Sequence, residues 1–315
     1  MSGRLPPHLG DRLRLPVIAA PMLRVSGPDL VKAACAAGVV GAFPTANART
    51  VAELDEWLDE IGAAATPATA PHAPNLIIRQ PRMPRDLEVL VRHRAEVVIT
   101  SVGSPAEVVG PLHEVGTLVL ADVATLRHAH RAVEAGADGL VLLTAGAGGQ
   151  TGWLNPFAFV RAVRAFFDGP LVLAGGIGDG RALLAARLLG CDLGYMGTSF
   201  IATAESMAAT DYKRMLVDSG IDDVVLTKAF TGLPTNMLAP AIRAAGLDPA
   251  NLDEHVSPAE AAQLYGGGSP DLGPKRWVDV WSAGHSVSAV REIPTAAELV
   301  ARTLREYDEA RATAL

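Results

Sequence analysis

The sequence is short of cysteine, of aromatic residues and of clustered charge, and each shortage excludes something. Two cysteines, Cys35 and Cys191, stand in apolar or helical surroundings without CxxC spacing. A disulfide framework and a thiolate metal site are therefore not expected, core packing is, and a reducing compartment fits. No histidine, cysteine and carboxylate spacing suggests a metal centre. Basic residues (27) are outnumbered by acidic ones (34), for a net charge of −7, and no basic block stands out. A nucleic-acid partner is not expected. No apolar run reaches the roughly 20 residues that span a bilayer. The N-terminal stretch MSGRLPPHLGDRLRLP lacks the continuous apolar core of a secretory signal. The expectation is a cytoplasmic protein with no membrane partner. Aromatic residues make up 5% of a chain that is 49% hydrophobic, so small aliphatic side chains must build the core, which suits helices packed closely on a parallel sheet.

What the chain has in quantity is alternation. Apolar runs begin at Leu15 (LPVIAAPM), Val39 (VVGAF), Asn75 (NLIIR), Glu96 (EVVIT), Thr117 (TLVLAD), Gly139 (GLVLLT), Leu171 (LVLAGGI) and Cys191 (CDLGYMGT). Each is short, mostly unalternated and followed by a helical pattern until the last. Strands without polar alternation are buried on both faces, and eight strand-helix units are what a parallel (β/α)8 barrel requires. A doubly wound open sheet is the alternative, but it needs no eighth unit. Ser26 or Asp29 is expected to cap the first barrel helix. After residue 204 the strand rhythm stops. The reading is an α/β barrel core over 1–204 and a helical and loop subdomain over 205–275 covering the barrel mouth. Residues 276–315 then form a return segment and a C-terminal helix, capped by Thr295 with Glu298, that packs on the barrel.

Active sites of such barrels lie at the carboxyl ends of the strands. Two consecutive strands end in Gly175-Gly176 and Gly197-Thr198. Backbone amides there can converge on one anion, because glycine leaves the approach open and a following helix N-terminus adds favourable dipole charge. The competing reading is that these glycines only close tight strand-helix turns. Four glycines between Thr144 and Gly152 bring bare backbone against something flat or charged. Together the segments outline a site for one phosphate and a planar ring system, and no GxGxxG fingerprint of a dinucleotide follows the first strand.

The motifs AAPM, AGADGLVLLTAGAGGQTG, AGGIGDGRALLAARLLGCDLGYMGTSF followed by TAES, and LTKAFTGLP together resemble the nitronate monooxygenases. The resemblance implies a TIM barrel carrying non-covalent FMN, with its phosphate on the loops of strands seven and eight. It implies FMN contacts from Pro21, Met22, Asn75, Gly148, Gly175, Gly176, Met196, Gly197 and Thr198. It also implies oxidation of a small anionic, nitronate-like substrate with dioxygen, in a possible homodimer. The same scaffold serves NAD(P)H-dependent flavin reductases of enoyl thioesters or quinones. A flavin-binding barrel that has lost turnover is the alternative of another class.

Two positions depart from the family pattern. Gln150 stands where relatives have the catalytic histidine, and Leu143 where they often have a flavin-binding glutamine. Glutamine cannot accept a proton near neutral pH, so a preformed nitronate remains a plausible substrate while a neutral nitroalkane lacks its base. His285 follows the return segment and is the candidate replacement acid or base; the alternative is a solvent-facing loop histidine. His128 and His130 are read as surface residues. Asp122 either orients a bound group or caps the next helix. Lys228 could touch an anionic substrate. Trp153, Tyr265, Trp277 and Trp281 either shape an apolar pocket or pack the accessory subdomain.

Overall fold

A computed structural model describes residues 4–266 and 274–313. Most of the glycine-rich loop expected near residue 270 lies outside the described residues. Eight parallel strands close into a barrel: β1 (Val17–Ala19), β2 (Val40–Pro44), β3 (His72–Ile77), β4 (Val97–Ser101), β5 (Leu118–Val123), β6 (Gly139–Leu143), β8 (Leu171–Ala174) and β9 (Leu193–Met196). A two-residue strand, β7 (Gly149–Gln150), lies in the loop between β6 and β8. The ring closes where Ile18 of β1 registers with Tyr195 of β9. The eight apolar runs of the sequence are these eight strands, and the fold is a TIM barrel.

The helices between the strands are α2 (Pro28–Ala37), α3 (Val51–Ala64), α4 (Met83–Arg92), α5 (Ala106–Glu114), α6 (Leu126–Glu134), α7 (Pro156–Arg164) and α8 (Gly180–Leu189). Ahead of them Leu9 of α1 (Pro7–Gly10) and Leu13, in the turn that follows it, pack among Ile18, Val97 and Leu193 of the barrel interior. The opposite end is left for the site. Helix α2 begins at Gly27 without a side-chain cap. The hydroxyl of Ser26, expected to cap it, instead accepts from the Met22 amide and donates to the Ala20 carbonyl, bracing the turn after β1.

After β9 come α9 (Thr198–Ile201), α10 (Thr210–Asp218), β10 (Val224–Thr227), β11 (Thr235–Leu238), α11 (Ala239–Ala244) and α12 (Pro258–Tyr265). The stretch expected to be helical thus also contains two strands. They form an antiparallel sheet in the order β10-β11-β7, with Asn236 opposite Gly149 and Thr235 opposite Gln150. The insertion shares a core with the barrel, in which Tyr212, Leu216 and Leu238 pack with Val25 and Ile201. Helix α13 (Ala296–Thr313) packs against α8 and α2. Thr295 and Glu298 form the expected reciprocal cap, the Glu298 amide donating to Thr295 Oγ1 and the Thr295 amide to the Glu298 carboxylate. Both cysteines are buried free thiols, and burial pushes each thiol pKa up to about 12.

Candidate active site

A cavity of about 1310 Å³ opens at the carboxyl ends of the strands, between the barrel and the insertion. Compact ligand sites span roughly 300–1,000 Å³, so this one has room for two ligands side by side. Its floor is a ring of inward-facing side chains from successive strands: Asn75, Ser101, Asp122, Leu143, Ala174 and Tyr195.

Each wall is fixed by a different device. The turn after β1, bearing Pro21 and Met22, is held by Asn47, whose amide donates to the carbonyls of Met22 (2.9 Å) and Ser26 (2.8 Å). On the floor Asn75 donates to the Ile99 carbonyl (3.1 Å) and to Ser101 Oγ (3.2 Å), so β3 and β4 satisfy one another. After β8, Gly175 has φ +125° and packs so closely that a Cβ would sit 2.5 Å from Thr144 Oγ1. Gly176 differs. Its φ is +75°, and a Cβ there would meet nothing within 4 Å. One glycine is required by packing, and the next presents bare backbone to open space. At the end of the neighbouring strand β9, Thr198 accepts a hydrogen bond from the Gly284 amide (2.9 Å), leaving its hydroxyl proton free to donate.

The glycine loop after β6 is held from three directions. Thr151 Oγ1 donates to the Thr144 carbonyl (2.8 Å), Asn236 of β11 donates to the Ala147 carbonyl (2.7 Å), and the His285 amide donates to the Gly146 carbonyl (2.9 Å). Gly148 is forced by contact, because a Cβ would lie 2.8 Å from the Gly284 nitrogen. The loop carries Gln150 on the cavity wall.

Of the residues expected to bind the cofactor, Pro21, Met22, Asn75, Gly148, Gly175, Gly176, Gly197 and Thr198 all line this one cavity, as does Gln150. Met196 does not. Its side chain is buried in the layer between barrel and helices, with Val17 and Phe200, and its carbonyl accepts from the Ala20 amide. His285 does not line it either. The side chain is exposed and packs against Gly146, while its neighbour Ser286 reaches the cavity. Lys228 is exposed, and its amide donates to Glu254. His130 stacks on Phe166, whereas His128 lies on the cavity rim. Trp153, Trp277 and Trp281 line the cavity, and Tyr265 packs on Phe230 in the insertion.

Of the positive charge around the opening, the sequence pattern pointed only to Arg79, which follows the third strand. Arg79, Arg127, Arg131 and Arg276 line the cavity, and Asp122 is the one acid among its described lining residues. Three of these arginines come from helix and loop positions that read as ordinary solvated surface. Among the described residues no group of three or more His, Cys, Asp or Glu side chains could hold a metal ion, and no helix is long and apolar enough to cross a membrane.

The nitronate monooxygenase family profile matches residues 82–306. The chain belongs to the nitronate monooxygenase family. It is an oxidoreductase of that family, whose members are flavoenzymes. It is 30% identical to a nitronate monooxygenase of Pseudomonas aeruginosa, over 97% of this chain and 99% of the relative. It is also 28% identical to a (3aS,4S,5R,7aS)-5-hydroxy-7a-methyl-1-oxo-octahydro-1H-indene-4-carboxyl-CoA dehydrogenase of Rhodococcus jostii, over 71% of this chain and 62% of that protein. Among solved structures, FabK from Thermotoga maritima superposes with a TM-score of 0.85 at 26% identity, covering 100% of this chain and 98% of that one.

Proposed function

We propose that this protein binds FMN and oxidises a small anionic substrate of the nitronate class with dioxygen. The observation that carries the reading is Gly176, whose bare backbone faces open space beside Thr198 on the wall of one large cavity. Gly175-Gly176 and Gly197-Thr198 are the groups to hold the phosphate, since backbone amides and a free hydroxyl proton suit an anion. Pro21, Met22 and Asn75, which line the same cavity, are the residues that would flank the ring. Bound flavin supplies the electron acceptor.

The chain's own residues then limit the chemistry. Gln150 has an amide that donates and accepts hydrogen bonds but carries no titratable proton. It can orient a substrate that arrives as an anion, and it cannot deprotonate one. The exposed arginines draw anions toward the opening, and a nitronate needs no further base.

A second reading is favoured by those same arginines together with the exposed apolar side chains Trp153, Leu126 and Leu233 on the cavity lining. Cations beside apolar surface suit a phosphate-bearing molecule with an apolar part, such as NAD(P)H or an acyl thioester. In that case the protein is an NAD(P)H-dependent reductase of an enoyl thioester or quinone.

Mass spectrometry of the released cofactor is expected to give FMN, and anaerobic stopped-flow reduction separates the readings. Bleaching by a nitronate supports the first, and bleaching by NAD(P)H supports the second. A flavin bleached by neither leaves a binding barrel without turnover.

A further inference from the structure

Two polar atoms on the cavity floor have no hydrogen-bond partner among the described residues: Asp122 Oδ1 of β5 and Tyr195 Oη of β9, each of them buried. Both residues line the cavity. A buried polar atom without a partner is costly because its lost hydration is not replaced, and native proteins keep few of them without a reason. Two on the floor of one cavity mark a surface that receives a ligand.

The surroundings show what that ligand must offer. On β4, Thr100 donates to the Leu120 carbonyl, and Ser101 is engaged with Asn75. Leu143 of β6 and Ala174 of β8, between Asp122 and Tyr195 along the sheet, are apolar. The ionisable groups sharing the cavity are Tyr195 on the floor, the buried Tyr212, whose hydroxyl donates to the Ser282 carbonyl, the exposed Arg79, Arg127, His128 and Arg131, and the half-buried Arg276 on its lining. Burial, uncompensated by any hydrogen bond, pushes the Asp122 carboxyl pKa up to about 7. Tyr195 is pushed well above its ordinary value, first by burial and then by the charge of Asp122. Below neutral pH the pair therefore presents two O–H donors, and no acceptor among the described residues pairs with them.

We propose that Asp122 and Tyr195 are a paired donor site on the barrel floor that receives a hydrogen-bond-accepting edge of the ring bound above it. This rests on the flavin reading and extends it. Carbonyl oxygens and ring nitrogens at the pyrimidine end of a flavin meet the requirement, and its alkyl-substituted benzene end does not. The pair accordingly sets which end of the ring lies over β5 and β9. Ionisation of Asp122 removes one donor and places a negative charge against an acceptor edge.

The test strips the full-length protein of flavin and titrates it with riboflavin, which lacks the phosphate and its own titration near neutral pH, and in parallel with FMN. Riboflavin affinity is expected to fall about tenfold or more from pH 6 to pH 8.5, the scale of one lost hydrogen bond. Asp122→Asn, which keeps a donor and cannot ionise, is expected to hold the pH 6 affinity at both values. Tyr195→Phe is expected to weaken binding at both pH values by about three- to tenfold while retaining the fall. A flat wild-type profile, or an equal fall in Asp122→Asn, overturns the proposal. Failure of FMN to bind at any pH rejects the flavin reading itself, and with it this site.

Discussion

The side-chain amide of Asn236, in the insertion, donates to the carbonyl of Ala147, in the glycine loop of the barrel, across 2.7 Å. Asn236 is buried, and its strand also registers against Gly149 and Gln150. The position of Gln150 in the cavity is therefore decided from a segment more than eighty residues further along the chain.

Asn236→Ala is expected to lower stability by about 1–3 kcal/mol, because the Ala147 carbonyl is left buried and unpaired. Denaturant unfolding measures the loss. Flavin retention should fall with it, since Gly148 and Gln150 belong to the same loop. A variant with lower stability but unchanged flavin affinity would show that the tether does not shape the site.

Gly176→Asp is expected to abolish FMN binding and leave the fold intact. The left-handed φ costs a non-glycine residue about 1–2 kcal/mol, and the added Cβ meets nothing within 4 Å. The carboxylate, however, would project toward the phosphate and repel it. Gly176→Ala should weaken binding less than Gly176→Asp. Calorimetric titration with FMN, beside thermal melts of the flavin-free proteins, separates binding from folding.

Gln150→His is expected to raise activity on neutral nitroalkanes, toward the roughly 10²-fold or greater assistance of a general base, while changing turnover of preformed nitronate much less. Parallel steady-state assays on the two substrate forms check this. His285→Gln is expected to leave the pH-rate profile unchanged. That histidine is exposed and outside the cavity lining, so the role that the sequence invited for it does not follow from its place in the fold.

Asp192→Ala is expected to destabilise the barrel by about 3–5 kcal/mol, the scale of breaking a buried ion pair. The Asp192 carboxylate accepts from Arg164 Nη2 (2.6 Å), the Leu171 amide (2.9 Å) and the Arg4 amide (3.1 Å). Arg164 is itself 6% exposed at the side chain, so removing the carboxylate strands a buried cation. Asp192→Asn should retain part of the stability, and urea midpoints of the two variants give the comparison.

Asp122 also gives stability a pH dependence of definite sign. Burial raises its folded pKa to about 7, above the ordinary aspartate value of 3.8, so the folded state binds the proton more tightly. Its favourable contribution is complete below about pH 4 and is lost as pH rises through about 7. In flavin-free protein Asp122→Asn should therefore raise Tm more at pH 8 than at pH 4, each 1 kcal/mol corresponding to about 1–2 °C for a chain of this length. An equal shift at both values would assign the change to packing.

The sequence alone determined the barrel. Strands buried on both faces must be continuously apolar, and eight such runs separated by helices leave little else to build. It also determined the glycine positions of the site, because close backbone approach and left-handed φ are demands that only glycine meets readily. Tertiary structure decided the rest. Strands β10 and β11 escaped notice since β10 is only partly buried and β11 pairs with a two-residue strand in a distant loop. Met196 and Gly197 are adjacent in sequence, yet the pleat turns the Met196 side chain to the outer core while Gly197 faces the cavity. Asp122 looked as much like a helix cap as a site residue. Its role depended on whether a partner waited inside the barrel, and Thr125 provides the helix cap instead, leaving the carboxyl over the cavity floor unsatisfied. Pairing, register and the satisfaction of buried polar groups are properties of residues far apart in the chain, and no local pattern encodes them.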